Sequence, residues 1–394
     1  MTIRRKQLIF LFICTLIPLI VGLGLTPLLP VYAESLGADS VLAGLYLAVV
    51  SLALTAGALS AGWVSASRFG RKLPYLMAIS LCIPLYWALG RINSLIALIL
   101  FTSLLWFLGG LGLALCSILT GLSAGKDERG KVFGVIGLTS GLGAVVGGLG
   151  IGWMVKQWGY PTMFSALAAL SFIGFIAALF LEEKEDQPSQ LEEDQPPVGS
   201  PLGRHYFFLF SASLVLSVSS SIFILIRSLS MSALGFDALE ISSAGVVAGL
   251  ISFPLPVLLG LLSDRVGRKK VLFLACLSLV IALILLPFSR ALWHFWLVSI
   301  IVGVQAGSMA SAGNALVMDL VIRQSISKGL ALFGATVWLG GIIGFALAGF
   351  MMQKLSISLS CYFGCLLVVA AVGLLIPIKV AGGLVSQQEA RSAH

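Results

Sequence analysis

Polar side chains within the long apolar stretches of this chain are few and unevenly placed. The stretch 206–232 carries Ser211, Ser213, Ser217, Ser219, Ser220, Ser221, Ser228, Ser230 and Ser232; the stretch 292–320 carries Ser299, Gln305, Ser308, Ser311 and Asn314. Hydroxyls and amides there can hydrogen-bond a solute in a wet cavity, whereas a helix facing lipid avoids them. At about 1.5 Å of rise per residue, Ser217, Ser220, Ser221, Gln305 and Trp106 lie near the middle of their stretches. Asn314 completes the polar set of 292–320, and Trp338 is similarly placed in 329–353. These are candidate substrate contacts. The competing readings are serines bonding back to their own helix and tryptophans that merely pack.

Arg227 is the one charge inside a stretch and away from its basic end. Twenty-one residues beyond Tyr206, it is expected near the outer headgroups, either snorkelling there or recognising an anion. The sixteen acids fall in loops, tails and turns, and none lies near the middle of an apolar stretch. Cation recognition and carboxylate proton relays both require such a group. Neutral, amphiphilic or anionic solutes therefore fit better than cationic ones.

A second constellation is basic. The run Gly260–Lys270, GLLSDRVGRKK, follows one apolar stretch, and a degraded copy, GWVSASRFGRK over Gly62–Lys72, follows another 198 residues earlier. Gly267 and Gly70 permit a sharp turn. Asp264 can sit at a helix N-terminus, where an anion gains roughly 0.3–1 kcal/mol. Arg265 and Arg268, like Arg68 and Arg71, hold the turn at a membrane surface. Gly260 and Asp319 complete the candidate gating set, Asp319 as a structural partner of nearby cations.

These residues need elements to position them. Residues are 59% hydrophobic and 10% charged, and the apolar ones form twelve blocks: 8–32, 41–66, 74–90, 94–123, 131–155, 161–181, 206–232, 241–263, 271–289, 292–320, 329–353 and 358–379. About 20 apolar residues cross a bilayer as a helix, and backbone groups in lipid must be paired within the segment. The fold class is thus all-α and membrane-embedded, with the first block too long for a cleaved signal. With the N-terminus inside, nineteen basic residues fall in inside segments and four in outside loops. That asymmetry places both termini in the cytoplasm, and the +8 net charge needs no nucleic acid to explain it. All six cysteines lie within apolar blocks and the three histidines at block ends or the tail, so no metal site or cofactor is expected.

Shifting the first six blocks by 198 nearly superposes them on the last six, and Leu36-Gly37 then matches Leu234-Gly235. Each half has an even number of spans, so the repeat is parallel, related by an axis along the membrane normal. Residues 1–181 and 206–394 are two six-helix bundles. The segment 182–205, rich in acids and proline, reads as a flexible cytoplasmic linker.

This layout, with the Gly260–Lys270 turn, resembles the major facilitator superfamily. The resemblance implies a monomeric transporter of the cell membrane that works by alternating access, with spans four, seven and ten lining the cavity and the Asp264 turn acting as a cytoplasmic latch. The first-half turn departs from the family pattern, since Ala66 or Ser67 stands where Asp is expected. A Gly-rich fifth span, associated in the family with export, is partly kept: Gly143, Gly147 and Gly148 remain, while Thr139 and Ala144 replace a Gly and a Pro. Gly137, Gly141, Gly148 and Gly152 also form a bare stripe for close helix packing. A mid-span Arg tied to proton coupling is replaced by Trp106. Gly125–Lys131 matches a phosphate loop in spelling only, because it follows a membrane helix and ends in Val132.

The leading expectation is a gradient-driven transporter of a small organic solute, an exporter rather than an importer and not an enzyme, with coupling to a proton or another ion and uniport both open. The alternatives are a proton-coupled multidrug antiporter and, in another class, a non-transporting sensor or lipid-handling protein. Cysteines placed at Thr2 and Ser386 are expected to be labelled from the cytoplasmic side only, in right-side-out and inverted vesicles compared; labelling from opposite sides would overturn the even span count.

Overall fold

The computed structural model describes residues 5–65, 70–124, 129–183, 202–251, 254–322 and 325–378. The linker residues 184–201, Thr2, Ser67, Arg68 and Ser386 lie outside them. Every regular element among the described residues is helical, as the lack of water in a bilayer core requires. Span one is Arg5–Leu25, span two Ser40–Ser65, span three Lys72–Leu89 and span four Leu95–Ser123. Spans five and six form one bent helix, Arg129–Leu179, that turns at Gly159 (φ 75°) just before Pro161. Span seven is Arg204–Ala233. Span eight is broken: Ala238–Ile251 and Leu255–Val266 meet at 45°, beside Pro254 and Pro256, which cannot continue the amide ladder. Span nine is Arg268–Leu285, span ten Leu292–Leu320, span eleven Ile326–Lys354 and span twelve Ile357–Leu375. Span ten includes five residues of π-helix, Met309–Gly313.

The basic turns lie at one face, and both halves use them alike. Lys72 Nζ donates to Leu179 O at the end of span six, and Lys269 Nζ to Ile376 O at the end of span twelve, 2.8 and 2.6 Å. A cation on the last carbonyls of a helix is favoured by its dipole. Gly70 and Gly267 make the turns with φ of 67° and 100°.

At the opposite face the halves meet, backbone against backbone. A Cβ on Gly44 of span two would stand 2.5 Å from Phe345 O and 2.8 Å from Gly349 Cα of span eleven. A Cβ on Gly152 of span five would stand 3.0 Å from Leu239 Cα of span eight and collide with Ser242 Oγ, and one on Gly148 would stand 2.5 Å from Val246. Gly44 and Ser242 are repeat mates, so one contact is made twice. Polar bonds rim it. Asp39 and Asp237, also repeat mates, each cap a helix with one oxygen, accepting from Leu42 N and Glu240 N. With the other they reach the far half: Gln353 Nε2 donates to Asp39 at 2.8 Å, and Lys156 Nζ pairs with Asp237 at 2.8 Å. Burial pushes the Asp237 carboxyl up, but the Lys156 and backbone bonds outweigh it and hold it below its ordinary value. The bridge therefore stays charged until the pH falls through that lowered value. Ser232 Oγ donates to Glu34 at 3.1 Å, and these two residues are 198 apart.

Towards the basic face the same helices part. A Cβ added to Gly62, Gly134, Gly137 or Gly334 would meet no neighbouring heavy atom within 4 Å. Among the described residues, the backbone-close contacts between the halves thus lie at the opposite face. Bulk there is expected to part the halves. In Gly152→Leu, the distance between spin labels at Arg91 and Arg290 should lengthen, while Gly62→Leu should leave it unchanged; equal distances in both would show that the glycine contact does not hold them together.

Candidate functional site

A cavity of about 150 Å³ opens between the halves, and its wall belongs mostly to the first half. Span one gives Leu19, Gly22, Leu23 and Thr26, span two Leu54, and span four Leu105, Trp106, Leu108, Gly109 and Leu113. Span eleven contributes Trp338 from the other half, 43% exposed. Trp106 is half-buried. The cavity also reaches behind spans one and four to Tyr75, Ala78, Ile79, Cys82 and Tyr86 of span three. Span three, with one serine and no Asn, Gln or Thr, has the composition of a lipid-facing helix; its inner side instead floors the cavity. The signal in the sequence is tyrosine. Tyr75 is buried and its hydroxyl donates to Cys14 O at 3.0 Å, a bond that a helix bathed only in lipid would not need.

The polar residues of the second half sit differently from one another. Ser220 Oγ donates to Gln305 Oε1 at 3.3 Å, joining spans seven and ten, and Gln305 is buried. Ser217 and Ser221 do not face the cavity. Both are buried against span eleven, where a Cβ on Gly340 would collide with Ser217 and one on Gly344 would stand 2.7 Å from Ser221 Cβ. Ser221 Oγ bonds back to Ser217 O at 2.9 Å. Asn314 Nδ2 likewise donates to Ala310 O within its own helix at 2.9 Å, just past the π-helical segment.

Arg227 departs from its expected place at the headgroups. It is 6% exposed, its Nη1 donates to Ser299 Oγ of span ten at 2.9 Å, and it lies 5.7 Å from the Phe223 ring. Span seven runs on to Ala233, so Arg227 lies below the interface and turns inward. Its Nε has no partner, nor have the buried hydroxyls of Ser228 and Ser230.

The gating residues occupy the basic face. Asp264, Arg265 and Gly267 are exposed. Arg268 pairs with Asp319 at 2.6 Å and also donates to Ala315 O. A Cβ on Gly260 would stand 3.7 Å from Ser311 Cβ. In the degraded first-half turn a different acid takes the helix N-terminus: Glu183 accepts from Arg71 N at 2.7 Å and Lys72 N at 3.0 Å, with the Arg71 guanidinium 3.7 Å away. A Cβ on Gly70 would press on that carboxylate at 2.9 Å. The packing glycines divide by face. Gly148 and Gly152 meet span eight, Gly143 and Gly147 meet span one, Gly137 meets nothing, and Gly141 is buried.

Two six-helix halves that meet backbone to backbone at one face, with a cavity between them, are the architecture of a membrane transporter. The Major Facilitator Superfamily model matches residues 11–231 and 208–391, and the chain belongs to that family; it is a multi-pass membrane transporter and not an enzyme. Among relatives, it is 27% identical to the multidrug resistance protein MdtG of Klebsiella pneumoniae (strain 342) over 77% of this chain and 75% of that one. It is 26% identical to MdtG of Citrobacter koseri over 74% and 75%. Its fold matches the nucleoside transporter NupG with a TM-score of 0.75 at 15% identity, covering 95% and 98% of the chains. It also matches a mutant of the peptide transporter POT in complex with alafosfalin, with a TM-score of 0.75 at 14% identity over 95% and 93%.

Because Ser299 is a hydrogen-bond partner of a buried guanidinium, Ser299→Ala is expected to destabilise the protein by about 1.5–3 kcal/mol. Arg227→Met, which removes the charge and its desolvation together, should cost less. Thermal unfolding in one detergent compares them, and the reverse order would show that Ser299 is not the anchor of Arg227.

Proposed function

We propose that the protein exports small neutral or amphiphilic organic solutes across the bacterial inner membrane, with its basic face and both termini in the cytoplasm. The observation that carries the reading is the composition of the cavity wall: leucines, glycines and two tryptophans, with Thr26 and Ser171 as its hydroxyls outside the tyrosines and no charged side chain. Such a wall rewards apolar surface and offers a cation no counter-charge. With the basic face inside, the contact between the halves at the outer face makes this the state that loads from the cytoplasm or the inner leaflet, which suits export. The relatives named multidrug resistance proteins support that direction. An anionic substrate loses its main support, since Arg227 is buried against Ser299 and is not part of the cavity wall.

Trp106 and Trp338 are the proposed aromatic contacts, and the Ser220–Gln305 pair is the proposed polar one. The Asp264 turn is proposed as a latch that closes against the start of span five when the inner face shuts; here Asp264 is exposed. A second reading, proton coupling, draws on Glu34. Burial raises its carboxyl above the ordinary value while the Ser232 bond lowers it, and it sits where the halves meet outside.

Flux of a panel of neutral and anionic amphiphiles into proteoliposomes, with a proton or a sodium gradient imposed, tests the function. Neutral members should be carried. Gln305→Ala should weaken apparent affinity by up to about tenfold, the worth of one hydrogen bond, and Trp106→Ala should do so as well. No flux across the whole panel under either gradient would rule out the reading.

A further inference from the structure

Among the described residues the two halves differ beside the cavity, and we propose that the first-half recess is a separate apolar subsite that seats a single ring-sized group of the transported solute. The proposal rests on reading the cavity as the solute path and specifies what that path selects. The subsite lies between spans one and four and is floored by span three. It exists because two helices that line the cavity each lack a side chain there: a Cβ on Gly22 or on Gly109 would meet no heavy atom within 4 Å. Behind them stand Tyr75, Ala78 and Ile79, all buried. Of the floor's two tyrosines, Tyr75 has its hydroxyl already bonded to Cys14 O, so beside it the recess presents carbon and ring faces.

The repeat shows that this opening is built rather than incidental. The mate of Gly22 is Ser220, and the mate of Gly109 is Gly307. In the second half Ser220 bridges to Gln305, and a Cβ on Gly307 would press on Leu255 and Leu259 at 3.2 Å each. Spans seven and ten are thus joined by a polar bridge, and the bare position at Gly307 is closed by span eight, whereas the space between spans one and four is left open. The solute meets an apolar recess on its first-half side. Volume bounds the ligand class. The whole cavity is about 150 Å³, a size that accommodates benzene when dry and apolar, so the recess within it takes at most one phenyl-sized group.

Bromobenzene supplies the test, because its bromine quenches tryptophan fluorescence on contact and Trp106 borders the recess. The protein is placed in nanodiscs, and the Trp106 signal is taken as the difference between wild type and Trp106→Phe, which removes quenching from lipid. Saturable quenching is expected. Gly109→Leu should weaken it at least fivefold, Gly109→Ala less, and Gly22→Val, on the other wall, should act as Gly109→Leu does. Gly373→Leu, at a position with equally open surroundings, should have no effect. Unsaturable quenching, or saturable quenching unchanged in both Gly109→Leu and Gly22→Val, overturns the subsite. Saturable, Gly109-dependent quenching supports it even in a protein that carries no member of the transport panel, an outcome that would remove the transport reading alone.

Discussion

The contact on which the rest depends is the one made without side chains. Where Gly44 meets Gly349 and Gly152 meets Leu239, two helical bundles approach to backbone distance, close enough for weak Cα–H···O contacts and close packing. In lipid there is no hydrophobic force to press helices together, so close fit has to supply the attraction. Because the bare patches lie in one half of the membrane thickness, that fit holds the bundles at one end and leaves the other free. The cavity is the space this leaves. The Asp39 and Asp237 bonds add direction to the contact: each carboxylate caps its helix and reaches across, so the loop that starts the span and the seam between halves are fixed by one side chain.

Around this symmetric seam the two halves have diverged in chemistry. The second half joins several of its hydroxyls and amides across helices: Ser213 with Thr336, Ser219 with Gly364 O, Ser220 with Gln305, Arg227 with Ser299. It is tied together by polar links. In the first half, glycines bring span one against span five and span two against span four, while Gly22 and Gly109 leave a recess open. The same difference recurs at the basic face. There the second-half turn keeps its own acids, Asp264 and Asp319, whereas the first-half turn borrows Glu183 from the start of the linker.

Much of the architecture is legible in the chain because the bilayer imposes it. Apolar block length gives the spans, and the shift of 198 gives the repeat; the break in span eight at Pro254 escapes because the apolar run continues through it. The site is only partly legible, and the reason is rotational. Counting residues fixes how deep a side chain sits in the membrane but not which way it points. Ser217 and Ser220 differ by less than one turn, yet one packs on Gly340 and the other bonds Gln305. Arg227 shows the same limit in depth, since the two helical turns that follow it draw it below the interface. The recess between spans one and four is hardest to read, being made of what Gly22 and Gly109 lack.

The bond from Ser232 to Glu34 joins a residue to its own repeat mate. Only points on a twofold axis coincide with their images, so these side chains mark where that axis leaves the membrane. A dimer of identical six-helix subunits would have to place the same residue twice at this point. Two glutamates would repel across it, and two serines would give up the carboxylate. Joining both copies in one polypeptide lifts that obligation. The molecule can then keep a donor on one side of its axis and an acceptor on the other, a pairing that exact symmetry forbids.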